Sequence, residues 1–415
     1  MTAKDLGARG NTGIVFRNGV MDFNADVLLG FAQQGGMAPG ALMQAFRRIR
    51  NGSPASWASV FTDLARRFEA SAAAAEDHSA TQVAHRAALA MLDPRTGEAR
   101  EANAGMGRAF RRYLRAAGIL LEHRPIPFRS RLLPAYATRS IGSADRLVLV
   151  IGGGDTYVED LWFFGARALV EAGWPVVMVD LPGQGFTPDQ GLYFGPSTLE
   201  AIAAVLDDLH ARGFAGEVVM LGWSGGGILT TKYASAARPE DRIAALVASA
   251  PAHDARAMFE RALPGVLRRN PDSRLLRVLL SVVRCDPVLD ASLSKYDWQF
   301  GPAGLMGTLD AVGESVRTDP SLLDLPVLAL VGADESEESA RQAETVVDAV
   351  RPAHPSSRVV TFPAWTGAAA HCQIGNIPLA MREVLGWLDE TLRGGIACDW
   401  TPWLAARRGA RAFWG

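Results

Sequence analysis

The sequence predicts an α/β fold, a mostly parallel sheet with helices on both faces, preceded by an all-helical domain. Three observations carry this. Helical stripes dominate before about residue 130, short apolar runs alternate with helical stretches after it, and one such run leads into a glycine-rich turn holding a serine.

The helical part is read from spacing. Trp57, Phe61, Leu64 and Phe68 recur at intervals of 4, 3 and 4, one face of a helix that Ser53-Pro54 can start as N-cap and first-turn proline. Ser79 and Gln82 read as a capping box opening the next helix. Phe110, Tyr113, Leu114 and Ala117 form a further stripe, which Gly118 can end in the left-handed conformation. We place this domain at residues 1–125 and expect it to cap the rest.

Residues 126–415 form the expected catalytic domain. Runs rich in Val, Leu and Ile fall at 147–151, 176–179, 218–221, 243–248, 327–331 and 359–362. Near-continuous apolar strands separated by helices mean a parallel sheet buried on both faces. Residues 254–321 are too long for a simple connection and read as a helical insertion over the C-terminal edge of the sheet, where ligands bind in open α/β folds.

Composition narrows the function. A net charge of -2 supplies no electrostatic reason for nucleic acid or an anionic membrane as partner. The start of the chain lacks a signal-peptide pattern, and no run of about 18 apolar residues offers a membrane span. Cys285, Cys372 and Cys398 are too scattered for a disulfide framework or a metal cluster, so no metal or other cofactor is expected and a reducing cytoplasm is the default. A small molecule is the expected partner. A homodimer through the helical domain is compatible with the sequence, which does not demand it. The apolar stretch 400–415, with Trp403, Phe413 and Trp414, is expected to pack rather than hang free.

The chemistry begins at Ser224. Val218–Leu221 leads into Gly222-Trp223-Ser224-Gly225-Gly226, an apolar strand followed by G-x-S-x-G and a helix. A turn this sharp strains the nucleophile's backbone, and only glycines can flank it without a clash. The following helix directs N–H groups and its dipole at negative charge developing there. An oxyanion hole needs one N–H from the residue after the nucleophile, Gly225, and one from an earlier loop. Gly152-Gly153-Gly154 supplies that loop, with Gly154 preferred and Gly153 the alternative. The same glycines imitate a dinucleotide-binding turn, but Tyr157 stands where its third glycine belongs.

Triad order here is serine, acid, histidine. Gly332-Ala333-Asp334-Glu335 follows the run at 327–331; Asp334 is preferred as the acid and Glu335 is the alternative. Of seven histidines, His371 alone lies in a small-residue loop after the last strand; His253 is the rival, but precedes the acid. Serine is too weak an acid to ionise alone, so His371 must take its proton. Trp162, Trp223 and Trp365 fall near strand ends and suit either an apolar pocket or the core, and Tyr157 with Trp223 is a candidate substrate contact.

The helical front domain, Gly152-Gly153-Gly154-Asp155-Thr156-Tyr157-Val158-Glu159-Asp160, Gly222-Trp223-Ser224-Gly225-Gly226 and Ala368-Ala369-Ala370-His371-Cys372-Gln373 together resemble one α/β-hydrolase group. It contains 2,6-dihydroxypseudooxynicotine hydrolase and related serine hydrolases of natural-product pathways. The resemblance implies an α/β-hydrolase fold with an N-terminal helical lid, and cleavage of an ester or of a carbon–carbon bond next to a ketone. It also implies an extra carboxylate after the strand that follows the nucleophile, for which Asp254 is the nearest match. The same acyl-enzyme chemistry would serve an acyltransferase or cyclase, and a non-catalytic binding role remains a third reading.

Overall fold

The computed structural model describes residues 13–257, 281–303 and 316–392. Five helices come first: α1 (Gly19–Gln33), α2 (Pro39–Arg48), α3 (Pro54–Ser71), α4 (Ala75–Leu89) and α5 (Gly97–Ala116). Ser53 caps α3 through its side chain, accepting from Ser56 N–H, with Pro54 in the first turn. Gly118 follows α5 at φ +67° and donates to Arg115 O.

Ser79 is not a cap. Helix α4 begins at Ala75, where the Asp77 carboxylate accepts from Ala73 and Ala74 N–H. Ser79 lies inside the helix and donates instead to Gly35 O, 2.9 Å away. Position 79 is interior because the helix starts one turn earlier.

The helical core gathers around Trp57. Its ring packs on Phe16, Phe46 and Phe61, and its Nε1–H donates to Ala87 O at 2.7 Å, satisfying the one polar atom of a fully buried side chain. Trp57→Ala removes this volume and leaves Ala87 O with the Ala90 N–H but without the indole donor. We expect a loss of about 3–5 kcal/mol of unfolding free energy, read from urea denaturation.

The strands are β1 (Leu121–His123), β2 (Ile126–Phe128), β3 (Arg131–Leu133), β4 (Ala135–Thr138), β5 (Arg146–Ile151), β6 (Val176–Val179), β7 (Glu217–Trp223), β8 (Ile243–Ser249), β9 (Val327–Gly332) and β10 (Arg358–Phe362). Eight of them form one sheet in the order β1-β4-β6-β5-β7-β8-β9-β10. From β6 to β10 all pairs are parallel, while β1–β4 and β4–β6 are antiparallel. β2 and β3 make a separate hairpin. Strand β1 thus joins the sheet ahead of residue 126.

Buried side chains cover both faces. The connecting helices include α6 (Arg167–Glu171, continuing a π turn at Trp162–Ala166), α7 (Ser197–Ala211), α8 (Gly225–Ala234), α9 (Pro287–Phe300), α10 (Glu337–Val350) and α11 (Ile377–Leu392). One core cluster joins residues of α1 to α5 with Val148, Val219, Val247 and Leu330 of the sheet, so the helical region and one sheet face share apolar packing. Within the expected insertion at 254–321, α9 is a described helix; much of the remainder, like 400–415, lies outside the described residues. No helix among the described residues is long and apolar enough to cross a membrane.

Candidate active site

The loops after β5, β7, β9 and β10 meet at one edge of the sheet, because parallel strands end on the same side. Ser224 follows β7 directly and adopts φ 56° and ψ −125°, a conformation L-residues rarely take. The turn closes because of its glycines. A Cβ on Gly222 would come within 2.4 Å of Thr230 Oγ1, and one on Gly226 within 2.4 Å of Ile151 O. Helix α8 begins at Gly225, immediately after the serine.

His371 comes from the loop after β10. Its Nε2 lies 2.8 Å from Ser224 Oγ, and its Nδ1 lies 3.3 Å from Glu335 Oε2. In the tautomer this arrangement favours, Nδ1–H donates to the carboxylate and Nε2 accepts from the hydroxyl. The loop doubles back through Cys372 and Gln373, both at positive φ. Gln373 is buried and accepts from Ser249 Oγ at the end of β8, tying the histidine loop to the nucleophile's neighbour strand. Burial of the ring disfavours its cation, but the Cys372 sulfur and the Glu335 carboxylate beside it outweigh that, so the His371 pKa is raised above the ordinary imidazole value.

The acid at the ring is Glu335, not Asp334. Asp334 is exposed; its backbone N–H donates to Ala369 O, which sets the loop so that the next side chain turns inward. Glu335 then has a side chain only 3% exposed. Its Oε1 accepts from Gly332 N–H, and its Oε2 from Ser339 Oγ as well as meeting the ring. The longer side chain can reach back to the strand end while still touching the imidazole.

The glycine loop after β5 lies against the serine. A Cβ on Gly153 would sit 2.6 Å from Ser224 Cβ, and a Cβ on Gly225 would sit 3.7 Å from Gly154 N. Gly153 therefore packs on the nucleophile, while the backbone N–H of Gly154 lies beside Gly225.

The remaining candidates fall elsewhere. Trp223 is fully buried against Phe164, and Trp162 packs between Phe110 and Tyr113; both are core. Trp365 is 87% exposed. Tyr157 is 3% exposed, stacked on Phe186 and flanked by the Arg86 and Lys295 cations. Among the described residues, Asp254 is engaged by Gln342, Ala257 N–H and Arg317, and makes no polar contact with Ser224 or His371. His253 likewise takes no part in the serine's hydrogen bonding; its carbonyl accepts from Thr318 N–H.

Four polar side chains to which the sequence assigned no role reach the carbonyls of the glycine loop: Arg86, Thr156, Gln184 and Gln299. Gln184 sits in the Leu181-Pro182-Gly183-Gln184-Gly185 turn after β6.

Comparison with known proteins agrees with this architecture. Residues 145–275 match the family model for the alpha/beta hydrolase fold. The alpha/beta hydrolase ucsC of Acremonium sp is 32% identical over 133 residues, 29% of this chain and 26% of that protein, so the match spans about a quarter of the relative. The structure of 2,6-dihydroxy-pseudo-oxynicotine hydrolase superposes with a TM-score of 0.61 at 15% identity, covering 88% of this chain and 96% of that one. AbyA5 superposes with a TM-score of 0.62 at 16% identity, covering 87% and 90%. At such identities these likenesses establish the fold, including the helical region ahead of the sheet.

Proposed function

We propose that this chain, an α/β hydrolase by fold, is a serine hydrolase that cleaves an ester or a ketone-adjacent carbon–carbon bond in a small aromatic or polyketide-type molecule. The observation that carries the reading is the line from Ser224 Oγ to His371 Nε2 at 2.8 Å and from His371 Nδ1 to Glu335 at 3.3 Å. An imidazole so held is oriented to take the hydroxyl proton as Oγ adds to a carbonyl carbon. Glu335 stabilises the imidazolium that results.

The negative charge that forms on the carbonyl oxygen falls to the N–H groups of Gly225 and Gly154, worth roughly 3–4 kcal/mol each when pre-positioned. Collapse of the tetrahedral adduct breaks the scissile bond. His371 gives its proton to the departing alkoxide or, for a carbon–carbon bond, to the departing enolate. Water then adds to the acyl-serine with His371 again as base, releasing the acid and restoring the hydroxyl. Aromatic side chains near the loop support the substrate class: a Cβ on Gly154 would lie 3.4 Å from the Tyr296 ring, and Tyr157 stacks on Phe186, which meets Trp298 edge to face.

The test is a fluorophosphonate probe. It should label the protein once, on the peptide holding Ser224, as mapped by mass spectrometry. Turnover in ¹⁸O-water should then place one labelled oxygen in the carboxylic acid product. A folded protein that never labels sinks the hydrolase reading, and clear turnover without ¹⁸O incorporation points to acyl transfer or cyclisation.

A further inference from the structure

Four consecutive carbonyls of the glycine loop each accept from a different side chain. Gln184 Nε2 donates to Gly152 O at 2.5 Å, Thr156 Oγ1 to Gly153 O at 3.0 Å, Gln299 Nε2 to Gly154 O at 2.5 Å and Arg86 Nη2 to Asp155 O at 3.1 Å. Each peptide unit is planar and, with no cis bonds in the described chain, its N–H points opposite its C=O. Holding a carbonyl therefore also fixes the opposite direction of the N–H in the same peptide unit. The Gly154 N–H shares its peptide with Gly153 O, the carbonyl held by Thr156.

The origins of the donors are informative. Gln184 and Thr156 belong to loops of the sheet itself, whereas Arg86 stands on α4 of the helical region and Gln299 on α9 of the insertion. Both are buried, Gln299 completely. Arg86 is held in place by Asp160, also buried, at 2.8 Å. The 155–156 peptide that Arg86 grips is the one from which the Thr156 side chain springs. Around it, Tyr296 OH donates to Asp155 Oδ2, and Lys295 pairs with Asp155 Oδ1 at 3.5 Å.

We propose that Arg86 and Gln299 are positioning residues for the oxyanion hole, so that the hole is complete only when the helical region and the insertion helix are docked on the sheet. This rests on the serine-hydrolase reading above. A pre-set donor costs no reorganisation when charge develops, so a loop released by even one tether loses transition-state stabilisation without losing substrate affinity.

Fluorophosphonate phosphonylation reads this directly, because the attacked P=O develops the same oxyanion. In the full chain, Gln299→Met keeps the side-chain volume and removes the donor; Arg86→Lys keeps the charge opposite Asp160 and loses the fork. We expect kinact to fall about 10- to 100-fold in each, with KI within threefold of wild type and the thermal midpoint of Gln299→Met unchanged. Thr156→Val should fall at least as far, and Thr156→Ser should restore the rate, which a purely structural role would not require. Variants that label as fast as wild type, or a fall carried wholly by KI, overturn the proposal alone. A wild type that does not label overturns the nucleophile reading and this one with it.

Discussion

Ser224→Ala, His371→Ala and the double variant should all lose turnover by a similar factor, roughly 10⁵–10⁶, rather than by a product of two such factors. In the proposed mechanism the two side chains act as a unit: the hydroxyl attacks only as its proton passes along the 2.8 Å contact to Nε2. Removing the base leaves an inert hydroxyl, and removing the hydroxyl leaves a base with no nucleophile. What survives is the work of the oxyanion donors and of binding, roughly 10³-fold over water. Single-turnover kinetics of p-nitrophenyl acetate with the three variants, alongside their thermal midpoints, measures this. Losses that multiply in the double variant would mean two independent contributions and would break the triad account. Cys372→Ala is the control for a thiol nucleophile: the sulfur is buried, and labelling at Ser224 should persist without it.

How legible the site was depended on how local its causes are. Ser224 and its glycines could be read because the motif itself spans only five residues, although the atoms that forbid a Cβ at Gly222 and Gly226 include Thr230 Oγ1 and Ile151 O from outside it. The six apolar runs became β5 to β10 because a strand buried on both faces leaves an unbroken apolar signature. The antiparallel edge did not announce itself: β1 and β4 span three and four residues, and the β2–β3 hairpin carries Pro127, so none is long enough to show alternation. Ser79 failed as a cap because α4 starts one turn earlier, where the Asp77 carboxylate accepts from Ala73 and Ala74 N–H. Arg86, Gln184 and Gln299 were invisible because their partners are remote in the chain. A side chain that serves a distant carbonyl imposes no spacing on its own neighbours. The acid was the intermediate case, since two adjacent carboxylates satisfy the order and only the path of the loop selects between them.

That selection sets the sharpest contrast in the molecule. Glu335→Gln should lower kcat/KM by roughly 10³–10⁴, whereas Asp334→Asn should leave it within about twofold. The amide still fills the space beside His371 but can present its NH₂ to the ring, favouring the tautomer with the proton on Nε2, where it cannot receive the Ser224 proton. The pH dependence supplies a second, independent reading. The imidazole must be unprotonated to act as base, so kcat/KM rises with pH as the ring loses its proton. In the native protein its pKa is raised, which places this acid limb above the ordinary imidazole value near 6.5. Removing the negative charge of Glu335 destabilises the imidazolium, so in Glu335→Gln the limb must move to lower pH, while Asp334→Asn leaves it in place. The exposed Asp334 lies where water screens its charge, so an equal effect of the two substitutions on rate and on the limb would show that the hydrogen bond at 3.3 Å does not organise the histidine. A large loss in Asp334→Asn with Glu335→Gln near wild type would return the acid to Asp334 and require the loop after β9 to rearrange when substrate binds.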